Sequence, residues 1–436
     1  MEKMLRGLLS VFLIGMCLTP GVAFADGGEV AAVKAPAAAP VTEVQAAPAP
    51  SEGLLMTGLG SIGVGNLLKK AGINFYGYSE AGMMYDTTAT RNGMGPTYLG
   101  FNYLKNTPMS NKTSLNIERT VDPTKKTFDV GFHTEVIFGS DAKFIHSDGL
   151  MDKQTGRYQW DLLQAYVDVA FPYVPMKLRV GKWIELAGFE HFSANIYGAF
   201  GDPAKGLYSY SYQFLYAEPG TQTGALLTYV ISPKWTADLG ITEGWNQSIK
   251  DANHRPDFLG RLTYTPTDKT SIIFVMTEGP QFPFGAGRNL PPGDQSHIWT
   301  NFDLVVTQKI TDKLSLGVGM DYVQTPRIPG YTGGSKQWGG VAGYSSYALN
   351  SYFTLNSRAE WYGDGSKGFS TGYSGGTNAN YFEVTQGVAI KPFPKHNVLS
   401  RLLLRPEVRY DFADHSVFAK GQHDQVTLSA DALFTF

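Results

Sequence analysis

The last eleven residues, Val426 to Phe436, alternate in character. Val426, Leu428, Ala430, Ala432, Phe434 and Phe436 are apolar; Thr427, Ser429, Asp431 and Thr435 between them are polar, and Leu433 alone breaks the rule. A strand sends successive side chains to opposite faces, so this segment has one greasy face and one mostly polar face. Its length suits a tilted strand crossing a bilayer. A soluble protein gains little from ending on an exposed aromatic. A barrel in an outer membrane closes its sheet with its last strand, where a terminal Phe meets lipid and can serve as an assembly signal. Phe436 and Phe434 are the candidates for that role.

The other end of the chain agrees. Lys3 and Arg6 precede an apolar run from Leu8 to Leu18, and Ala23-Phe24-Ala25 follows. Basic residues, a short apolar run and an A-x-A site make a secretory signal over 1–25, too short for a membrane-spanning helix. The single cysteine, Cys17, would leave with it, so the mature chain has no thiol or disulfide chemistry. An acylated Cys17 is the competing reading, and Met16 is a poor residue before such a cysteine.

Composition bounds the class. Glycine (50 residues) and aromatics (13%) are plentiful, and only 17% of residues are charged, with a net charge of -2. Past the signal no apolar run approaches a helical span, which excludes a helical membrane protein but not a barrel, since a barrel strand gives only alternate positions to lipid. The charge balance argues against a nucleic-acid partner. A soluble periplasmic or extracellular β-protein is the bland alternative.

Residues 26–50, rich in Ala and Pro, read as a disordered periplasmic linker. Residues 51–72 hold leucines among glycines and could form a short helix. Gly58-Leu-Gly60-Ser-Ile-Gly63 matches a dinucleotide fingerprint formally, but lacks the strand and βαβ unit that give that motif meaning. From Ile73 the alternation predicts strands near 73–86, 113–121, 127–139, 160–170, 176–183, 222–231, 235–244, 257–266, 269–278, 298–309, 313–324, 341–350, 352–363, 380–391, 399–411 and 425–436. Their number is even, as bacterial barrels require. The connections alternate short and long. Ser232-Pro-Lys234, Pro266-Thr-Asp268 and Thr311-Asp312 are short, whereas those near 87–112, 140–159, 184–221, 245–256, 279–297, 325–340, 364–379 and 412–424 are long. Short periplasmic turns against long outer loops define an all-β, transmembrane, antiparallel up-and-down barrel of about sixteen strands over 73–436. With the N-terminus in the periplasm every long loop falls outside, and Phe436 returns to the periplasm beside the unpaired first strand.

The longest loop, 184–221, should be functional. It carries Glu185, Glu190, His191, Asp202, Lys205 and Glu218, with Tyr208-Ser-Tyr210-Ser-Tyr212. Folded into the lumen it would narrow the channel; extended outward it would not. Parity also selects lumen candidates. Arg401, Arg405, Glu407, Arg409 and Asp411 share one strand face, as do Arg358 and Glu360, with Arg179, Asp238, Arg261, Asp303 and Asp321 placed similarly. A lipid-facing Arg or Lys near mid-bilayer costs about 2–4 kcal/mol, which favours the inward assignment. Such residues either line a channel and set its selectivity or pair across strands and brace the wall. Both signs are present, so no ion preference follows. The seven tryptophans, Trp160, Trp183, Trp235, Trp245, Trp299, Trp338 and Trp361, lie near strand ends, as interfacial girdles require, although Trp183 falls on luminal parity.

Catalytic signals are missing. Glu190-His191, and His133 with Glu135, are the closest pairs, and Ser209 and Ser211 near His191 have no spacing that favours a hydrolase. No HExxH, Gly-x-Ser-x-Gly or Walker pattern occurs. No metal site or cofactor is expected.

Several segments resemble the β-barrel porins of the OmpL-like type. These are Gln164-Ala-Tyr166-Val-Asp168, Arg179-Val-Gly181-Lys182, Tyr216-Ala-Glu218-Pro219 with Thr223-Gly224, Gly260-Arg261-Leu-Thr-Tyr264-Thr-Pro266-Thr-Asp268-Lys269, Arg358-Ala-Glu360-Trp361, and Arg405-Pro406-Glu407-Val-Arg409-Tyr410-Asp411. They occur in family order across 73–436. The region 338–362 departs from the pattern, with an unusually tight turn at Asn350-Ser351. The resemblance implies a Gram-negative outer-membrane porin passing small hydrophilic solutes or ions passively, and no agreed substrate. Its expected partners are outer-membrane lipid, the barrel-assembly machinery, the solutes, and further copies of the chain in a homo-oligomer. The competing function is a structural or surface barrel tethered to the envelope through the linker.

Overall fold

A computed structural model describes residues 53–87, 99–192, 198–250, 254–281, 297–328, 334–372 and 376–436. The signal expected at 1–25, with Cys17, and the linker expected at 26–50 lie outside the described residues. Two short helices, α1 (Leu54–Ser61) and α2 (Val64–Lys70), precede the sheet. Gly58 and Gly60 lie within α1 and Gly63 just before α2, so no phosphate-binding strand-to-helix turn exists there. Among the described residues no helix is long and apolar enough to cross a membrane.

The strands are β1 (Asn74–Asp86), β2 (Met109–Arg119), β3 (Asp129–Gly139), β4 (Gln159–Ala170), β5 (Met176–Ile184), β6 (Thr221–Ser232), β7 (Trp235–Thr242) and β8 (Asp257–Thr267). They continue with β9 (Thr270–Gln281), β10 (His297–Lys309), β11 (Leu314–Thr325), β12 (Lys336–Ala348), β13 (Phe353–Asp364), β14 (Ala379–Ile390), β15 (Leu402–Leu404), β16 (Glu407–Ala413) and β17 (Asp424–Thr435). β15 and β16 are two lengths of one wall strand, interrupted at Arg405-Pro406, where proline has no amide to give the ladder. The wall therefore has sixteen strands. Each pairs antiparallel with the next in sequence, and β1 pairs with β17 from Tyr78↔Thr435 to Asp86↔Thr427. Closure leaves no sheet edge unpaired, which a bilayer demands because it offers no water to free amides.

Alternation decides which face meets lipid. Leu239 and Ile241 on β7 are 57% and 63% exposed, and Leu115, Val180, Phe258, Val408 and Leu428 are exposed with them. The interleaved residues, Arg179, Asp238, Arg261, Arg358 and Arg409 among them, are buried inside. Charge within and hydrocarbon without is the reverse of a soluble protein, and only a surrounding apolar solvent makes it stable. Leu433, the exception in the last strand, follows from this parity. It faces inward and packs with Tyr78, Ala204, Ala389 and Leu403 in a small apolar cluster.

Three sequence expectations need correction. Five residues more than expected open β12, at Lys336, and the β12–β13 turn is wider than Asn350-Ser351 alone. Asn350 Oδ1 accepts from the Tyr352 and Phe353 amides at 2.8 and 3.0 Å, so a side chain completes the reversal. Arg401 belongs to the 3-10 turn Leu399–Arg401 and leaves the inward row. Four tryptophans are not girdle residues: Trp183, Trp245, Trp299 and Trp338 are buried. Trp299 meets Trp245 and Trp338 edge to face at 5.7 and 5.2 Å, inside the outer end of the barrel. Strand ends carry both faces, and parity sends these rings inward. Trp160, Trp235 and Trp361 keep accessible surface at strand ends.

Candidate functional site

The barrel interior is occupied by the segment between β5 and β6. It leaves the wall at Ile184, forms a 3-10 turn at Pro203–Lys205 and a short helix, α4, at Tyr212–Tyr216 (α3, Ala142–Ile145, lies in an earlier loop), and rejoins the wall at Thr221. Local sequence explains both turns. Asp202 Oδ1 accepts from the Ala204 amide at 2.9 Å with proline following, and Ser211 Oγ accepts from the Phe214 amide at 3.3 Å.

Wall carboxylates receive the amides of this loop one after another. Glu407 on β16 accepts from the Tyr208 and Ser209 amides at 2.8 and 3.0 Å. Glu360 on β13 accepts from the Tyr212 and Gln213 amides, both at 2.7 Å. Between them Glu190, from the loop itself, accepts from the Ser211 amide at 2.7 Å. A polypeptide entering the barrel carries amides that need acceptors once water is excluded, and charged acceptors make the stronger bonds.

Arginines meet the other polarity of the loop. Arg358 Nη1 donates to Glu190 Oε1 at 2.6 Å and to the Ser209 carbonyl at 2.7 Å, while its Nε donates to Glu383 on β14. Arg409 donates to Asp411 at 2.8 Å and to the Tyr210 carbonyl at 2.6 Å, and its guanidinium lies 4.8 Å from the Tyr212 ring centre. The Tyr212 hydroxyl donates to Asp411 at 2.7 Å. Nearer the closing seam, Arg405 bridges Asp431 and Glu80, at 3.0 Å from Asp431 Oδ1 and 2.8 Å from Glu80. Lys112 takes Glu80 and Asp141 at 3.3 and 3.1 Å. A separate pair of braces stands on the far wall. Arg179 binds Asp168 through two nitrogens at 2.8 and 3.0 Å, and Arg261 binds Asp238 at 2.7 Å.

All eleven inward candidates, Arg179, Asp238, Arg261, Asp303, Asp321, Arg358, Glu360, Arg405, Glu407, Arg409 and Asp411, are buried. They are covered by the loop and by one another. Of the loop candidates, Glu185, Glu190, His191 and Glu218 are buried, while Asp202 and Lys205 keep partial exposure. Glu185 accepts from the Phe192 amide at 3.1 Å and lies 3.3 Å from His191 Nδ1. Lys205 donates to Ser315 at 3.1 Å. Between the loop and β12–β13 a small, partly open space of about 20 Å³ is lined by Glu190, Phe200, Asp202, Lys205, Tyr344 and Asn356.

The weak catalytic candidates are spent on structure. Ser209 Oγ accepts from Arg358 at 3.3 Å, Ser211 caps α4, and His133 lies between Asn116 and Tyr166 at 2.9 and 3.3 Å. Glu135 accepts from Ser114 and Gln164 at 2.7 and 2.8 Å.

The sequence of residues 72–436 matches the profile of one protein family, described as "Putative beta-barrel porin-2, OmpL-like". The chain belongs to this family. Solved outer-membrane structures share the fold. The outer membrane channel DcaP of Acinetobacter baumannii aligns with 84% of this chain and 98% of its own, at 10% identity and a TM-score of 0.52. An anion-selective porin from Comamonas acidovorans aligns with 84% and 99%, at 10% identity and a TM-score of 0.51. OmpT of Vibrio cholerae, an outer membrane protein, aligns with 84% and 97%, at 12% identity and a TM-score of 0.50. No curated protein matches in sequence. At such identities the likeness is one of fold.

Sequence reading missed several partners in this porin's interior: Glu80, Lys112, Asp141, Asp168, Glu383 and Asp431. The signal was present for Glu383, since Tyr381, Glu383 and Thr385 alternate with Phe382 and Val384. Asp141 had none, because it lies in a loop where no periodicity operates.

Proposed function

We propose that this protein is an outer-membrane porin through which small hydrophilic solutes or ions diffuse passively, along a polar bore narrowed by the 185–220 loop. The observation that carries this reading is the docking of that loop on Glu360 and Glu407, which holds a polypeptide across an otherwise wide barrel. The small space beside Lys205, Asp202 and Glu190 marks where the loop and wall pack least closely, and a solute path would run there. Arg358, Arg405, Arg409, Arg179 and Arg261 with their carboxylates form the walls of the bore and brace it. No catalytic step is assigned. The chain would reach the Gram-negative outer membrane after loss of residues 1–25, with 26–50 as a periplasmic linker. Its partners would be lipid, the assembly machinery acting on Phe434 and Phe436, the solutes, and other copies of itself.

Planar-bilayer recording tests the reading. The refolded barrel should give discrete conductance steps. Removing residues 188–210, or replacing both anchors (E360Q with E407Q), should raise the unit step severalfold. Unchanged steps in a correctly inserted variant would refute the narrowing role. One observation favours a second reading, a structural or surface-interaction barrel: every inward candidate is buried. A folded barrel that gives no steps, with or without the loop, would support that alternative.

A further inference from the structure

Most inward carboxylates described above meet an arginine, a lysine or a backbone amide. Three do not. Asp303 on β10 and Asp321 on β11 stand directly opposite each other in the ladder, and Glu218 reaches them from the end of the infolded loop. One oxygen from each lies within 4.8 Å of one from each of the others. All three side chains are buried, and none of their six oxygens meets a donor in good hydrogen-bond geometry; the nearest donors are the Gly188 amide, beside Asp303, and the Asn301 amide, beside Asp321. Burying like charges side by side without a counter-charge opposes folding strongly, so such a cluster needs a cation or protons to persist.

A fourth oxygen lies beside the three carboxylates. Asn301 shares the inward face of β10 with Asp303 and is fully buried, beside Asp321. Its Nδ2 donates to the Ala217 carbonyl at 3.0 Å, which fixes the orientation of the amide. Its Oδ1 is left with no donor. A single cation would offset the charge of the three carboxylates and also take up this buried amide oxygen beside Asp321. The backbone is also cut to fit. Gly188, at φ +90°, lies against Glu218, and a Cβ there would fall 1.9 Å from Glu218 Oε2. Only a residue with no side chain lets that carboxylate reach its place.

We propose that Glu218, Asp303 and Asp321, with Asn301 Oδ1, bind one divalent cation of the calcium class between the loop and the β10–β11 wall. The donors are hard oxygens with no nitrogen or sulfur among them, which selects against zinc and copper. Calcium accepts six to eight such oxygens at about 2.3–2.6 Å in adaptable geometry, and water would complete the shell. Magnesium demands a closer, regular octahedron that oxygens on two strands and a loop are poorly placed to supply. Because Glu218 belongs to the loop and the two aspartates to the wall, the ion ties the returning end of the loop to the barrel. The site stands whether or not the barrel conducts.

The test uses the full mature barrel refolded in detergent, free of lipopolysaccharide so that no lipid supplies other calcium sites. After stripping with EDTA, calorimetric titration with calcium chloride at neutral pH should show one ion per chain. The same addition should raise the unfolding temperature. E218Q should weaken uptake at least tenfold, and D303N with D321N should abolish it. E218Q alone decides the matter if the double variant fails to fold, since its residue lies outside the wall ladder. Absence of saturable calcium uptake by the unaltered barrel overturns the proposal, as does equal uptake by E218Q. Uptake of magnesium in preference to calcium overturns the assignment of ion class.

Discussion

Most of the charges described inside this barrel meet a specific opposite group, and Arg358 shows how much one residue holds. Its guanidinium is shared among Glu383 on the neighbouring strand, Glu190 of the loop and a loop carbonyl. Replacing it with Met leaves buried Glu190 without its base and Glu383 with only the more distant Arg409, at 3.8 Å. R358M should lower stability by about 3–5 kcal/mol, read from urea unfolding in lipid vesicles. His146, in the loop after β3, offers a titration. It lies 3.5 Å from Asp161 and 3.0 Å from Asp152, and the bond to Asp161, then that to Asp152, hold its imidazolium above the ordinary histidine range despite partial burial. A raised histidine contributes stability that is full below its unfolded value, near 6.5, and is lost as pH rises through the folded value. Hydrogen-exchange protection factors in 140–158, corrected for the intrinsic pH dependence of amide exchange, should therefore be higher at pH 5.5 than at pH 8, and H146Q should flatten that difference. Equal protection factors at both pH values would remove His146 from this role.

At the scale of elements, the closing seam is the join on which the fold depends. β1 and β17 come from opposite ends of the barrel sequence, so their pairing is the least local contact in the sheet. The Phe436 amide donates to the Gly77 carbonyl, and the Gly77 amide donates to the Phe436 carbonyl in return, both at 2.8 Å. The Phe436 ring lies across Gly77, where a Cβ would come within 2.5 Å of it and 2.4 Å of the Ser114 carbonyl. G77V should cut the yield of heat-modifiable barrel sharply, and F436D should impair assembly more than it alters conductance of the barrels that form. Equal folding yields for both variants and the parent would show that the seam tolerates what this packing forbids.

For the whole molecule, the wall and its contents are separable. β5 and β6 pair from Met176↔Tyr229 to Ile184↔Thr221, so the ladder is continuous across the origin and return of the loop. Deleting 188–210 should leave a folded barrel with a lower unfolding temperature, because Arg358, Glu407 and Arg409 lose their loop partners. Failure of that variant to give a heat-modifiable band would mean that the loop is part of the folding core. The wall was legible because lipid selects one parity of every strand, and the rows Arg405-Glu407-Arg409-Asp411 and Arg358-Glu360 show that parity directly. The tryptophans were misread because proximity to a strand end says nothing of which face a ring occupies.

The sequence by itself determined the barrel: alternation set the faces, the rhythm of short and long connections set the strand number, and the terminal Phe set the end that must close. Those are local regularities, repeated once per strand by a solvent that is apolar on one side. Only the tertiary structure decided what fills the bore. The meeting of Glu407 with Tyr208, of Arg358 with Glu190, and of Glu218 with Asp303 and Asp321 joins residues far apart in the chain, through a loop with no period of its own. Contacts of that kind depend on where a loop returns in space, and no repeating pattern along the chain encodes it.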